Sequence, residues 1–453
     1  MAPTSLDRRV LARGWEPAIF YDVPNQPDLH RGEIVDLLGS LVEKSLVLYE
    51  NGRYGLLESV RNYGRDRLAS ASELEAVSRR HALHIATLLA EAEEGLSGPH
   101  QAEWMDLIER ERDNVRGAVD YLLARKADPE CCRTARAICV SVWKYWSRKG
   151  LSLEGLTFLE KASGDDSGDP RQLAAVRSAA GVLATFRGDT DRARSHLVRA
   201  LELRRTIGDE DAVGRTLNNL GMLLNNVGEF DAARKCYAEA LDLFRPGGPS
   251  YAYGTMLLNL GNLERYTGRD EEARLVYEES RAVFRRVSDP EGEALSLYNL
   301  GLMLADHGEH TDAIELYRLA LELFDSIGNE RMQAWTLASL GEATLKLGER
   351  DTGEAIFRQS SELRRRASEP LANAFALESW AEFLAYDERW GELATLLGCF
   401  DSQRESLALQ MTPAQIAAQD RLTGAARSHL GESTFADLFA RGVAYSPIDL
   451  LPA

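Results

Sequence analysis

No stretch of this 453-residue chain carries an apolar run approaching the length that spans a bilayer. Its first residues, MAPTSLDRRVLARGWEP, lack the apolar core of a signal peptide. Neither membrane insertion nor secretion is expected, and the chain reads as cytoplasmic. Cysteine is scarce: Cys131, Cys132, Cys139, Cys236 and Cys399 make five, with no CxxC spacing. That excludes a disulfide framework, and the Cys131-Cys132-x6-Cys139 group reads as buried helix thiols rather than a redox or metal cluster. A phosphate-binding loop of the form GxxxxGK[ST] occurs nowhere, so an ATP site of that type is excluded. Positive charge is also in deficit, with 53 Lys and Arg against 71 Asp and Glu and a net charge of −18. Such a surface repels nucleic-acid phosphate, so nucleic acid is disfavoured as a partner unless one face is locally basic. The strained-turn signature of a nucleophile is missing. His81-x2-His84 and His307-x2-His310 pair imidazoles at helical spacing, but no further ligand stands at metal spacing, so they read as surface or packing histidines. No enzyme, cofactor or metal is expected.

What is present is the composition of an ordinary folded protein, 44% hydrophobic and 27% charged, and a long internal repeat. In TLNNLGMLLNNVGEFDAARKCYAEAL the pair Leu220-Gly221 recurs as Leu260-Gly261, Leu300-Gly301 and Leu340-Gly341. The glycine column runs Gly181, Gly221, Gly261, Gly301, Gly341, then Ala381, at a period of 40 residues. After each glycine come a small residue (Ala193, Ala233, Ala273, Ala313, Gly353), a large apolar one (Leu197, Tyr237, Tyr277, Tyr317, Phe357) and a small one again (Ala200, Ala240, Ser280, Ala320, Ser360). A second glycine column, Gly188, Gly228, Gly268, Gly308 and Gly348, suits the left-handed residue that ends a helix. Each unit is therefore a helical hairpin. The first glycine lets its first helix be approached closely, and the stripe of small and large residues packs the second helix against it. One hairpin cannot bury its apolar face alone, so neighbours must stack. Six hairpins are expected from about Ala174 to Cys399.

This core resembles the tetratricopeptide repeat, whose usual unit is about 34 residues, so longer helices are implied here. The resemblance implies an all-α fold, a right-handed superhelix. A degenerate unit precedes the clear ones in VWKYWSRKGLSLEGLTFLEKA, and one eroded unit follows at Trp380-Ala381. A helix from Pro413 to Leu430, GESTFADLFARG and a short helix starting at Ser446-Pro447 are expected to cap the open end.

Ahead of the repeats, GEIVDLLGSLVEKSLVLYENGRYGLLESVRNYGRDRLAS reads as helix, strand, turn, strand, helix. Ile34, Leu37, Leu38, Leu41 and Val42 share a helical face, and Asn51-Gly52 is a strong hairpin signal. Amphipathic helices follow at about Glu73–Glu94 and Gln101–Ala124. The block is similar to the winged-helix segment of bacterial signal-transduction ATPases with numerous domains (STAND regulators), LuxR-like and antibiotic-regulator-like proteins among them. Their segment runs approximately L-L-x2-L-V-x-K-S-L-V, then x-R-Y-x-L-L-E-x-V-R-x-Y. Trp104, Leu107, Glu109, Asp113, Asn114 and Ala118 resemble their joining helix, and ARSHLGESTFADLFARGVAYSPIDLL their ending. Those regulators carry an ATPase upstream. This sequence is then a piece of a larger regulator or a chain that lost its motor, and it is expected not to bind ATP.

The domains expected are a partial winged helix over 1–70, a helical linker over 71–130, the solenoid over 131–400 and a helical cap over 401–453. The resemblance implies a concave groove lined by the first helices. Two residues before each glycine stand Ala179, Asn219, Asn259, Asn299 and Ser339. Carboxamides both donate and accept, so an asparagine ladder can pair with the backbone of an extended peptide. Arg215, Asn218, Met222, Asn225 and Asn226 stand beside it in one unit, Asn262, Arg265 and Tyr266 in the next, then Tyr298, Asp306 and Trp335. The expected function is a non-enzymatic regulatory sensor or partner-binding module taking a peptide, a protein segment or a small effector. The alternatives are a DNA-binding transcription regulator acting through the wing and Arg61, Arg65 and Arg67, and a structural scaffold for assembling other proteins.

Overall fold

The computed structural model describes residues 31–50, 53–96, 101–125, 127–164, 168–367, 377, 380–406 and 413–451. They are predominantly helical. The chain divides into two compact units, residues 1–227 and 228–453, each described by itself.

Unit 1 begins with α1 (Arg31–Glu43), the antiparallel hairpin β1 (Val47–Glu50) and β2 (Arg53–Leu56), and α2 (Glu58–Ser70). The register pairs Val47 with Leu56, Leu48 with Gly55, Tyr49 with Tyr54 and Glu50 with Arg53. The expected Asn51-Gly52 turn lies outside the described residues. Val47 is buried, while Leu48, Tyr49, Tyr54 and Leu56 stay exposed. The single amphipathic helix expected from about Glu73 is two, α3 (Leu74–Leu88) and α4 (Ala92–Gly95). Gly95, the last residue of α4, leaves room for the helix that follows: a Cβ there would lie 2.0 Å from the indole nitrogen of Trp104 on α5 (Gln101–Leu123). Next come α6 (Pro129–Arg148), α7 (Ser152–Ser163), α8 (Pro170–Phe186), α9 (Thr190–Ile207) and α10 (Glu210–Asn226). Cys131, Cys132 and Cys139 all sit on α6 as thiols outside any disulfide, and burial pushes the Cys139 thiol up to about 12.

Unit 2 holds α11 (Phe230–Phe244), α12 (Tyr251–Tyr266), α13 (Asp270–Arg286), α14 (Pro290–Asp306), α15 (His310–Ser326), α16 (Glu330–Lys346) and α17 (Arg350–Ala367). Helical residues 380–386 follow, then α18 (Trp390–Ser406), α19 (Pro413–Leu430), α20 (Glu432–Gly442) and α21 (Pro447–Leu450).

The hairpins start and stop for local reasons. Asp128, Asp169, Asp189, Asp209, Ser250, Asp289 and Asn329 each accept a backbone N–H of the first turn of the helix that follows. Pro129, Pro170 and Pro290 occupy first-turn positions, where no backbone N–H is needed. The second glycine column is left-handed throughout, from φ 71° at Gly268 to φ 87° at Gly348. The first column is a contact column. A Cβ on Gly261 would meet the Tyr277 ring at 2.6 Å, one on Gly301 the Tyr317 ring at 2.6 Å, and one on Gly181 the Leu197 side chain at 2.6 Å. Tyr237, Tyr277 and Tyr317 are accordingly buried to 1%, 0% and 1% exposure. The small column also bonds across the hairpin: the Ser280 hydroxyl donates to the Gly254 carbonyl at 3.0 Å and Ser360 to Ala334 at 2.7 Å.

Candidate functional site

The expected binding residues lie on the first helices of the hairpins, in the row the glycine phase assigns them. In unit 1 they sit on α10. Arg215 is exposed and paired with Asp211 one turn earlier. Asn218 is buried and turns its amide to the Met222 sulfur at 3.9 Å. Asn219, Met222 and Asn225 are half-buried and Asn226 is exposed. The Asn225 side-chain oxygen is buried with no hydrogen bond among the described residues.

In unit 2 the corresponding positions lie on α12, α14 and α16. Asn259 and Asn299 are half-buried, and Asn299 donates to the Leu295 carbonyl of its own helix at 3.0 Å. Asn262 accepts the Tyr277 hydroxyl at 2.6 Å, tying the inner row to the buried tyrosine column. Arg265 donates to Asp306 at 2.6 Å, bridging α12 and α14. Burial opposes the Arg265 charge, but Tyr277 and Asp306 outweigh it and hold the guanidinium above its usual range. Tyr298 is half-buried, its hydroxyl 3.3 Å from Ser339 and its ring 5.9 Å from Tyr317. Trp335 is half-buried with the Arg364 guanidinium 6.0 Å over its ring. Tyr266 is exposed and its ring lies tilted against Phe230, centroids 5.3 Å apart. Within unit 2 the structure thus brings Asn262, Arg265 and Asp306 into one polar network through Tyr277, and sets Tyr298 beside Trp335's helix through Ser339.

Two groups escaped the sequence reading. Glu342 stands one place after the glycine of its unit, in the row of Asn262, and burial raises its carboxyl above the usual carboxylate range. Arg364 is buried, and burial lowers its guanidinium to about 10. It occupies the column filled by Phe284 and Phe324 in earlier units, so the 40-residue frame carried the signal.

The histidine pairs are placed differently from one another. His81 and His84 share α3. His307 and His310 do not share a helix: the left-handed Gly308 ends α14 between them, and His310 begins α15. His307 is held instead by the Met303 carbonyl at 2.8 Å and Asp270 at 3.1 Å. Among the described residues no group of three or more His, Cys, Asp or Glu is placed to hold a metal ion, and no helix is long and apolar enough to cross a membrane.

The sequence model of the tetratricopeptide repeat matches residues 172–246, 212–286, 252–326 and 292–366 in overlapping register. Residues 172–366 are tetratricopeptide repeats. The helix pairs α8/α9, α12/α13, α14/α15 and α16/α17 are their hairpins, and the rows described above lie on the first helix of each. No curated protein matches the chain. Among solved structures it is similar to a STAND protein with a tetratricopeptide repeat sensor from Pyrococcus horikoshii, at 16% identity over 91% of this chain and 61% of that one, TM-score 0.48. It is also similar to a Rap protein complexed with Competence and Sporulation Factor (13% identity, 83% and 99% covered, TM-score 0.49) and to the apo quorum sensor NprR from B. thuringiensis (15%, 74% and 99%, TM-score 0.45). These are likenesses of fold.

Proposed function

We propose that the chain is a non-enzymatic regulatory sensor or partner-binding module whose first-helix faces take an extended peptide, a protein segment or a small effector. The observation that carries this reading is the inner row of unit 2. There half-buried amides and hydroxyls (Asn259, Asn299, Ser339) alternate with half-buried aromatic rings (Tyr298, Trp335) on a tetratricopeptide framework. Half-buried aromatics anchor a chain, and amides satisfy its backbone without reading its sequence. The reading extends to a right-handed superhelix over residues 131–400, a linker over 71–130 and a cap over 401–453, in a cytoplasmic signalling protein of STAND type. The helix–hairpin–helix order of α1, β1, β2 and α2 supports a winged-helix remnant over 1–70.

Selection of random extended peptides against the full chain tests it. Recovered peptides should bind the Asn259→Ala variant about fivefold more weakly, the loss of roughly 1 kcal/mol for one rung. They should bind Trp335→Ala more weakly still, since aromatic anchors dominate such sites. Peptides that bind both variants as they bind the parent would sink the reading. A DNA-reading wing would instead show as a gel shift at about 0.15 M salt that Arg61→Ala abolishes. Arg61, Arg65 and Arg67 are exposed on α2, yet the net charge of −18 argues against such a shift.

A further inference from the structure

The last part of unit 2 holds an open cleft of about 550 Å3 that the peptide reading does not use. Its walls are apolar: Trp380 and Leu384 from the helical residues 380–386, Trp390 and Leu396 from α18, Leu430 from α19 and Leu438 from α20. These walls are braced. A Cβ on Gly398 would lie 2.0 Å from the Phe439 carbonyl oxygen, and one on Gly442 1.9 Å from that of Thr395, so α18 and α20 touch backbone to backbone. His429 stacks on Trp390, centroids 4.2 Å apart and planes 6° from parallel. A void of this volume between braced walls has the dimensions of a small-molecule pocket.

The polar edge of the cavity decides what enters. Glu388, Arg389, Glu392 and Thr395 form it. Arg389 is already engaged: two of its nitrogens donate to Glu392 at 2.8 and 2.7 Å, and Glu354 lies 3.6 Å from a third. The Glu388 carboxylate is exposed and has no hydrogen bond or ion pair among the described residues. Its backbone is left-handed, φ 58°, in the column where Gly188, Gly228, Gly268, Gly308 and Gly348 stand. A side chain there costs backbone strain that glycine would avoid. The mouth carries two carboxylates against one guanidinium, so it complements a cation.

We propose that this cavity binds a small amphiphile whose apolar body lies between Trp380, Trp390 and the leucines and whose ammonium group pairs with Glu388. Two probes with the same body and opposite charge test it, 4-phenylbutylamine and 4-phenylbutyrate, titrated calorimetrically into the full chain. The amine should bind saturably and about fivefold more tightly than the acid, the factor an exposed ion pair supplies. Glu388→Gln should bring the two affinities within about twofold. Glu388→Gly should do the same while raising the thermal midpoint, because it also removes the strain. Leu396→Trp, which fills the void, should abolish amine binding. If that variant does not fold, magnetisation transfer from the phenyl ring to the Trp390 indole in the parent chain decides the same point. Equal affinity for the two probes, no saturable amine binding, no transfer to Trp390, or undiminished binding to folded Leu396→Trp would each overturn the proposal.

Discussion

Ser288 shows how much a single backbone position settles. It is left-handed, φ 58°, where the equivalent turns of other units have Gly208, Gly248 and Gly328. The turn at Gly328 makes the same backbone hydrogen bonds as that at Ser288; only the residue is strained. Ser288→Gly should therefore stabilise by about 0.5–1 kcal/mol, a gain in thermal midpoint that a melting curve reads directly. A midpoint that falls would mean the Ser288 side chain supports the turn. His196 makes a second case. It is 7% exposed, with Glu160 at 3.3 Å and Arg177 at 3.2 Å, and burial holds its imidazole below the ordinary 6.5. The folded state thus favours the neutral ring. Its contribution to stability is present above the unfolded value and is lost as pH falls below it. Unit 1 should lose stability as pH falls below about 6.5 and through the lowered folded-state value, and His196→Gln should flatten that slope in denaturation measured across the range.

At the scale of the element, the hairpin rests on one ring against one glycine. Gly261→Ala would push a methyl to within 2.6 Å of the Tyr277 ring. The ring is fully buried and hydrogen-bonded to Asn262, so it has nowhere to move, and the cost should be about 1–3 kcal/mol. Tyr277→Ala should cost roughly 3 kcal/mol or more, since it leaves a cavity as well. Urea denaturation of both variants checks the order. A harmless Gly261→Ala would refute the contact argument. A buried pair adds a different liability: Glu264, 6% exposed at its side chain, accepts from Arg234 at 2.6 Å. Arg269 also lies 3.8 Å from Glu264 and the Arg234 side chain is 22% exposed, so Arg234→Met should destabilise by about 1–3 kcal/mol, read by the same urea denaturation.

Across the whole molecule, what the sequence made legible followed from repetition. Forty-residue spacing placed a glycine opposite a ring and a left-handed glycine after it, and Gly301 and Gly308 do those things. Where repetition fades, legibility fades with it. Nothing periodic announced that Gly95 gives way to Trp104, or that Gly398 and Gly442 let α18 and α20 meet, because those contacts join unique segments. The histidines at 307 and 310 misled because spacing alone hides a helix end. Of the first-helix row, the helix each residue sits on was legible and side-chain engagement was not: that Asn299 bonds its own helix and Asn262 a tyrosine depends on rotamers no pattern fixes. Quasi-linear stacking also makes a prediction at this scale. Gly301→Ala should lower amide hydrogen-exchange protection in α14 and α15 most, in α13 and α16 next, and in α19 and α20 least. A uniform loss across unit 2 would show cooperative unfolding instead.

The caps that recur ahead of the helices have a consequence for the birth of the chain. Asp169, Asp209, Ser250, Asp289 and Asn329 each mark the start of a hairpin from within that hairpin's own sequence. A ribosome adding about 5–20 residues per second releases a 40-residue unit every few seconds, while a helix forms in about a microsecond. Each hairpin can therefore close before the next leaves the tunnel, and it finds its predecessor already folded. The nascent protein exposes one unfinished apolar face at a time, which keeps its demand on chaperones low through most of its synthesis.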